Sequence, residues 1–408
     1  MLVLLVVFPI VELHLILFLL TSSLILFYKN FSFSKKLFNP IFILLLITVV
    51  GIFTSLFYQK TYYNWLKDFM YFLKPIIAIL SGYFIAKKIN NFKFIIKGII
   101  LISTISAFLH ITKVVWHIDF DTWTVESVRK IGGISNLIES FALVLILGSN
   151  TYDFINVFKN KLLKNTILIL LLFSVTAYFS RTMVVALIIF YLAILGYLKL
   201  TSKGLKYGFI ILISVGLFYT YLFSVKIERD KPGIESFLYK IKIAPSEIFI
   251  PSPKIDMNNH ASLWDHWRAY EASMALQEMK KNPSSFFAGK GFGALVDLKF
   301  EAPLDSKKIR FIPILHNGYI YILYKTGIVG ISLYFLFLFV LYLNSYSSKS
   351  NLNEFVIGNL IAGISLYYLF SSLIITGVYN MHDIFAFFLG ILFFQQATIT
   401  NQPSQAEK

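Results

Sequence analysis

The chain consists largely of near-continuous apolar runs, each roughly as long as a helix that crosses a bilayer. Eleven runs follow one another, near residues 2–28, 40–58, 71–86, 95–112, 134–150, 165–179, 182–198, 207–224, 317–343, 355–377 and 384–396. Membrane-spanning β-strands would instead need repeated segments of about ten residues in which apolar and polar side chains alternate. The runs therefore predict an all-α polytopic membrane protein.

The number of transmembrane helices depends on how residues 1–28 are interpreted. This stretch contains Pro9, Glu12 and His14, so it is either one tilted helix or a closely spaced pair, which gives 11 or 12 helices in all. It lacks a basic leader and a small-residue cleavage site. We therefore expect a retained membrane segment rather than a signal peptide.

The positive charge of the chain indicates orientation rather than nucleic-acid binding. The formal net charge is +16, but the lysines are spread over short connectors between the apolar runs. Short lysine-rich connectors stay in the cytoplasm. We therefore expect membrane lipids and no nucleic acid as partners, and we assign the connectors between the lysine-rich ones to the outer side.

These assignments divide the chain into four parts. They are transmembrane helices in 1–224, a large outer loop domain in 225–315, C-terminal transmembrane helices in 316–396 and a cytoplasmic tail in 397–408. The outer domain contains 11 of the 21 acidic residues together with 14 basic ones, which predicts a solvated domain. The apolar spacing in Ser262–Lys281 predicts a helix within it, so the domain should be partly helical.

All five arginines fall in segments assigned to the outer side: Arg129, Arg181, Arg229, Arg268 and Arg310. A guanidinium group can bind phosphate through two parallel hydrogen bonds, whereas lysine offers a point charge. Arg181 also follows Ser180 at the start of a predicted helix, where a phosphate would be stabilised. The alternative is that Arg181 only reaches the lipid headgroups. An anionic partner on the outer side is one prediction of this pattern.

Two further outer segments are candidates for a supporting role. Gly289, Gly291 and Gly293 belong to a glycine-rich turn whose backbone amides could surround an anion, although such turns are common. Arg129 ends another outer loop, where it either supports the site or anchors the loop at the membrane interface.

His316 and Asn317 lie where the outer domain returns to an apolar run, so the histidine should lie at a membrane surface. A neutral imidazole there can remove a proton from a hydroxyl group. Lys325 would lie about 13 Å further along a helix, so it either lines a wet cavity or belongs to a short helix before the membrane. No spacing of histidines and carboxylates resembles a zinc site, so we expect no metal.

The order His316-Asn317, nine residues, Gly327, two residues and Gly330 resembles the motif of the O-antigen ligase family. That family shares a superfamily with the Wzy-type O-antigen polymerases. Ser180-Arg181, Trp267-Arg268 and the glycine-rich turn follow in the order that the family shows. The resemblance covers about residues 125–335.

The resemblance implies a membrane-embedded glycosyltransferase without a cofactor, located in the bacterial inner membrane with its active site facing the periplasm. Such an enzyme moves a glycan from undecaprenyl diphosphate to a sugar hydroxyl of lipid A-core or another glycan acceptor. By this resemblance, His316 is the catalytic base, Arg181 and Arg268 bind the diphosphate, and Asn317 orients His316 or a sugar. Inversion at the anomeric carbon would follow.

Two alternatives remain open from the sequence. A Wzy-type polymerase would use the same residues to extend a lipid-linked glycan, because ligases and polymerases differ mainly in the acceptor. A transporter or flippase would place ionisable groups near the middle of the membrane. Apart from Lys325, the notable ionisable groups here gather at the outer side, which favours an enzyme.

Overall fold

The computed structural model of the chain describes residues 34–58, 60–119, 123–133, 136–229, 231, 233–249, 260–304, 307–346 and 351–400. The first predicted span, and with it the choice between one and two helices in residues 1–28, lies outside these residues. So does most of the predicted tail, because the last helix continues to Thr400.

The described residues form fifteen α-helices and one β-hairpin. In chain order they are α1 Lys35–Ser55, α2 Tyr62–Ile89, α3 Phe92–His117, α4 Val125–Gly132, α5 Leu137–Gly148, α6 Lys161–Ala177, α7 Arg181–Ile194, α8 Ser202–Ser224, α9 Ile234–Lys242, α10 Ala244–Phe249, α11 His260–Lys281, α12 Ser284–Ala288, β1 Val296–Leu304, β2 Lys307–Ile312, α13 Gly318–Leu343, α14 Leu352–Ile374 and α15 Phe385–Thr400.

Each of the ten apolar runs predicted after residue 30 coincides with one of these helices. Among the described helices, six are long and apolar enough to cross a membrane, namely α1, α2, α3, α8, α13 and α14. Three other apolar helices, α5, α7 and α15, are shorter. The predicted fold class, an all-α polytopic membrane protein, is confirmed.

The helices pack unequally, as expected when lipid covers part of the surface. α2 packs closely along α15, α13 packs on α1 and α14, and α14 packs on α7. α8 differs, because Gly204 and Leu222 are its only buried residues. An apolar helix with nearly every side chain exposed is stable where lipid replaces water around it.

Helix α13 is broken at Gly327, which has φ 68° and ψ −167°. Residues other than glycine rarely adopt this backbone conformation. A β-carbon at this position would also overlap the carbonyl oxygen of Phe287 in α12. This break separates a first segment, residues 318–326, from the part that continues through the apolar run.

The outer domain contains the predicted helix as α11 and a β-hairpin that the sequence analysis did not predict. β1 pairs with β2 in antiparallel register, and the register shifts between Asp297 and Ala302. Within this irregularity, Lys299 has φ 66°. Residues 296–302 alternate apolar and polar side chains, which is a strand signal that the sequence analysis did not use.

Candidate active site

Glu271 holds His316 through two hydrogen bonds. Its Oε2 atom accepts one from the backbone N–H of His316 at 3.0 Å and one from imidazole Nδ1 at 2.9 Å. A carboxylate can only accept, so Nδ1 carries a proton, and in the neutral imidazole the lone pair is then on Nε2. The carboxylate is buried, at 2% exposure for Glu271, whereas the His316 side chain is 48% exposed. This arrangement leaves Nε2 as a base.

Asn317 has a structural role at the start of α13, and its predicted role of orienting His316 or a sugar stays a prediction. It is the N-cap of α13, and its side-chain oxygen accepts a hydrogen bond from the backbone N–H of Ile320 at 3.1 Å. Such a cap satisfies an amide at the start of a helix. Glu271 orients His316, and Asn317 fixes the helix that follows the histidine.

Arg181 and Arg268 meet on one carboxylate, although 86 positions separate them in the sequence. Oε2 of Glu247 lies 2.6 Å from Nη1 of Arg268 and 3.1 Å from Nη2 of Arg181. Arg181 also donates to the backbone carbonyl of Lys240. Ser180 caps α7 and thereby positions Arg181 at the first turn, because its side chain accepts from the backbone N–H of Met183. The predicted capping role of Ser180 is confirmed.

Helix α11 joins the two arginines to the histidine. Arg268 and Glu271 are three residues apart on this helix, and residues at this spacing share one helix face. Burial lowers the pKa of the Arg268 guanidinium, while the neighbouring carboxylate of Glu247 opposes that shift. Nε of Arg268 is buried and has no hydrogen-bond partner among the described residues. It is a donor available to a ligand.

Further basic residues surround the same helix. Asp265, one turn before Arg268, accepts hydrogen bonds from Lys240 at 2.6 Å and from Arg229 at 3.2 Å. Together with Arg181 and Arg268, these residues place four basic side chains around the two carboxylates of Asp265 and Glu247. The cluster therefore carries an excess of two positive charges, which favours an anionic ligand.

The glycine-rich turn packs against the protein rather than offering open amides, and our interpretation of it as an anion cradle is corrected accordingly. The N–H groups of Gly289, Lys290, Gly291, Phe292 and Gly293 donate in turn to the carbonyls of Ser285, Tyr324, Lys325 and Gly51 and to the carboxylate of Asp68. Gly289, Gly291 and Gly293 have φ values of 82°, 73° and 83°. Gly289 lets this turn approach α13 closely, whereas Gly291 and Gly293 let it approach the end of α1 and the residues around the start of α2. Their role in supporting the site stays a prediction.

Lys325 neither lines a wet cavity nor reaches water. It is 1% exposed, and its Nζ atom lies 2.5 Å from Oδ2 of Asp68 and 2.6 Å from the carbonyl of Ala294. The same Asp68 oxygen accepts the N–H of Gly293. A buried ion pair thus fastens the first segment of α13, which follows His316, to α2 and to the glycine-rich turn.

Arg129 lies in the last turn of α4, a helix that contacts α3 and α9. Its supporting role stays a prediction. Glu247 and Glu271 were missed by the sequence analysis. The spacing of Arg268 and Glu271 on a predicted helix was a signal for Glu271, whereas nothing in the local sequence distinguishes Glu247.

The comparison with known proteins found one family for the middle part of the chain. A family model described as O-antigen ligase matches residues 166–335. That range contains Arg181, Glu247, Arg268, Glu271 and His316. No curated protein matches the chain at a significant level. Over residues 166–335 the chain is therefore similar to the O-antigen ligase family, and its apolar helices are those of a multi-pass membrane protein.

Proposed function

We propose that this protein transfers a glycan from undecaprenyl diphosphate to a sugar hydroxyl of lipid A-core at the periplasmic face of the inner membrane. One observation carries the proposal. Arg181 and Arg268 share the carboxylate of Glu247, and Glu271, one turn after Arg268, holds His316. A base and two anion-binding groups are therefore supported by a single helix.

His316 acts as the general base in this proposal. With Nδ1–H donated to Glu271, Nε2 accepts the proton of the acceptor hydroxyl as that oxygen attacks. The imidazole then becomes positively charged, and the buried carboxylate of Glu271 stabilises this charge. The same division of roles between a histidine and a buried carboxylate operates in the Ser-His-Asp triad.

Arg181 and Arg268 act on the leaving group. The bond between the anomeric carbon and the diphosphate oxygen breaks, and its electron pair remains on the diphosphate. Each guanidinium has five N–H donors, so it can keep its contact with Glu247 and still bind phosphate oxygens. Fixed positive charge stabilises the leaving diphosphate as it forms, which is the type of electrostatic stabilisation that contributes most in many enzymes.

The geometry of the reaction predicts inversion. In the proposed mechanism the acceptor oxygen attacks the anomeric carbon directly, so it forms its new bond on the face of the sugar opposite the departing diphosphate. A single displacement of this kind inverts the anomeric configuration. The outer position of the site follows from the lysine-rich connectors, which we assign to the cytoplasm.

A transfer assay with purified protein tests the proposal. The donor is an undecaprenyl diphosphate glycan and the acceptor is lipid A-core. We expect His316→Ala, Arg181→Ala and Arg268→Ala each to reduce the rate by about 10²-fold or more. His117→Ala is the control, because His117 is exposed and bonds only to a carbonyl of its own helix. Near-normal rates in all three variants would remove the site assignment.

A deletion strain separates a ligase from a Wzy-type polymerase, which would use the same residues with a different acceptor. Loss of a ligase leaves lipid A-core without attached polymer, whereas loss of a polymerase leaves a core that carries a single repeat unit. The banding of the lipopolysaccharide distinguishes the two results. An unchanged banding pattern would exclude both activities.

A further inference from the structure

A cleft with a volume of about 920 Å³ opens to solvent between the outer domain and the start of α2. Its charged lining consists of four lysines and two carboxylates: Lys60, Lys281, Lys290, Lys299, Glu278 and Asp297. The catalytic residues described above do not line it. The charged residues that line this cleft therefore have no role in the reaction proposed above.

Two of the four lysines lack an anionic partner. Lys290 pairs with Glu278 at 3.0 Å, and Lys299 pairs with Asp297 at 2.5 Å. Among the residues that the structure describes, no carboxylate lies within salt-bridge distance of Lys60 or Lys281. The cleft thus has two cations beyond those that its own carboxylates neutralise, and it is suited to an anionic group.

Lys60 is the more buried of these two cations. Its Nζ atom donates to the backbone carbonyl of Lys290 and lies 5.2 Å from the ring centre of Tyr58. Burial lowers the pKa of Lys60 to about 7, repulsion from Lys325 and Lys290 acts in the same direction, and Asp68 opposes them. A bound anion would reduce this repulsion and favour the protonated form.

The backbone conformation of Lys299 is a further feature of this cleft. Lys299 adopts φ 66° at the irregular point of β1, a conformation that costs free energy for residues other than glycine. Irregularities in a strand change the direction of a side chain and occur often beside functional sites. Here the irregularity accompanies a lysine that lines the cleft.

The cleft and the proposed catalytic centre lie next to each other along α11 and α13. Glu271 and Glu278 are seven residues apart on α11, so they share a face and lie about 10 Å apart along its axis. Glu271 contacts His316, and Glu278 accepts a hydrogen bond from Tyr324 at 2.7 Å. α11 and the first segment of α13 therefore run side by side in the same direction, from the histidine to the cleft.

We propose that this cleft is the acceptor subsite and that its lysines bind a phosphate group carried by a sugar of the acceptor glycan. The inference rests on the proposed transferase function. Tyr58 and Phe311 also line the cleft, and such aromatic faces pack against the apolar faces of sugar rings. A sugar whose hydroxyl reacts at His316 would place its phosphorylated neighbours along α11, beside Lys60 and Lys281.

A labelling experiment tests binding without any need for catalysis. The wild-type protein is held in nanodiscs of neutral phosphatidylcholine and treated with an amine acylating reagent at about pH 8, where an ordinary lysine is mostly protonated. Acylation of Lys60 is followed by peptide mass spectrometry. Lys226, whose side chain is 90% exposed, is the control. We expect delipidated phosphorylated core oligosaccharide to slow acylation of Lys60 and not of Lys226.

Three outcomes of the labelling would overturn the proposal. They are no protection of Lys60, equal protection by core oligosaccharide stripped of phosphate, and equal protection by phosphatidylglycerol nanodiscs without oligosaccharide. The last result would assign the cleft to a lipid headgroup. Protection that needs the phosphorylated oligosaccharide supports the proposal, and it does so even if no transfer is detected. Absent transfer would overturn the proposed function alone.

Kinetics provide a second test. The measured quantity is the ratio of kcat/KM for the phosphorylated acceptor to that for the dephosphorylated one. We expect Lys281→Gln and Lys60→Gln to reduce this ratio about tenfold, the effect of losing one charge-assisted hydrogen bond. Lys281 is exposed, so its variant should fold normally. Lys226→Gln is the matched control. A ratio that is unchanged in both cleft variants contradicts the acceptor assignment.

Discussion

The carboxylate of Glu271 accepts hydrogen bonds from both the backbone amide and the imidazole of His316. The histidine is therefore fixed at its main chain and at its ring by one buried group. Because the pair lies immediately before α13, the position of the base depends on how α11 packs against the first turns of α13.

Removing the charge of Glu271 tests its role. We expect Glu271→Gln to retain a hydrogen bond to the imidazole but to reduce kcat by about 10²–10⁴-fold, because the charge on the protonated His316 loses its counter-ion. The measurement is the transfer rate at saturating donor and acceptor. Glu301→Gln serves as the control, since that carboxylate is exposed on β1. A rate within threefold of wild type would argue against a role for the carboxylate.

The protein should be sensitive to the loss of either partner of the buried pair of Lys325 and Asp68. Removing one partner leaves an unpaired buried charge, so we expect Asp68→Ala to destabilise the protein by about 3–5 kcal/mol. The measurement is the thermal unfolding midpoint in detergent. The double variant with Asp68→Ala and Lys325→Met should recover part of the loss. Removal of the exposed Lys226 and Glu228 pair should have little effect.

Gly327 should not tolerate a side chain. Gly327→Ala combines a left-handed φ with overlap against Phe287, so we expect a clear fall in the unfolding midpoint and in activity. Gly98→Ala is the matched control in α3, where a β-carbon would have no neighbour within 4 Å. That variant should be neutral or slightly stabilising, because alanine favours helix. Equal midpoints for both variants would contradict the strain at Gly327.

The lowered pKa of Lys60 predicts that the stability of the protein depends on pH. Its pKa in the folded protein is about 7, below the 10.5 of an ordinary lysine, chiefly because of burial. Between these two values the unfolded chain binds more protons, so the contribution of Lys60 to stability rises with pH. We therefore expect the unfolding midpoint of Lys60→Met, relative to wild type, to decrease steadily between about pH 7 and pH 10. A constant difference would show that the lysine titrates normally.

The orientation in the membrane can be tested by single cysteines, because the chain has none. His316→Cys and Lys308→Cys introduce thiols at exposed positions of the outer segments, and Lys203→Cys does so in a lysine-rich connector. With an impermeant thiol reagent added to intact spheroplasts, we expect the first two to react and the third to react only after lysis. The reverse pattern would overturn the orientation.

The helices could be predicted from the sequence because each one needs a long apolar run to remain in lipid. The same reasoning placed His316 where the outer segment returns to an apolar run. It failed where a contact joins distant segments. Asp68 and Lys325 are 257 positions apart, and Glu247 joins arginines from two other helices. The glycine-rich turn was interpreted as an anion-binding turn because the sequence shows the glycines but not the distant groups to which their amides donate.

The break at Gly327 has a mechanical consequence for an enzyme that works at a bilayer surface. The first segment of α13, which follows His316, is fastened to α2 by Lys325 and Asp68. The remainder of α13 lies in the apolar region. Transmembrane helices tilt when the thickness of the surrounding lipid changes. Such tilting can be absorbed at the glycine, so the imidazole keeps its position relative to the arginines in membranes of different thickness.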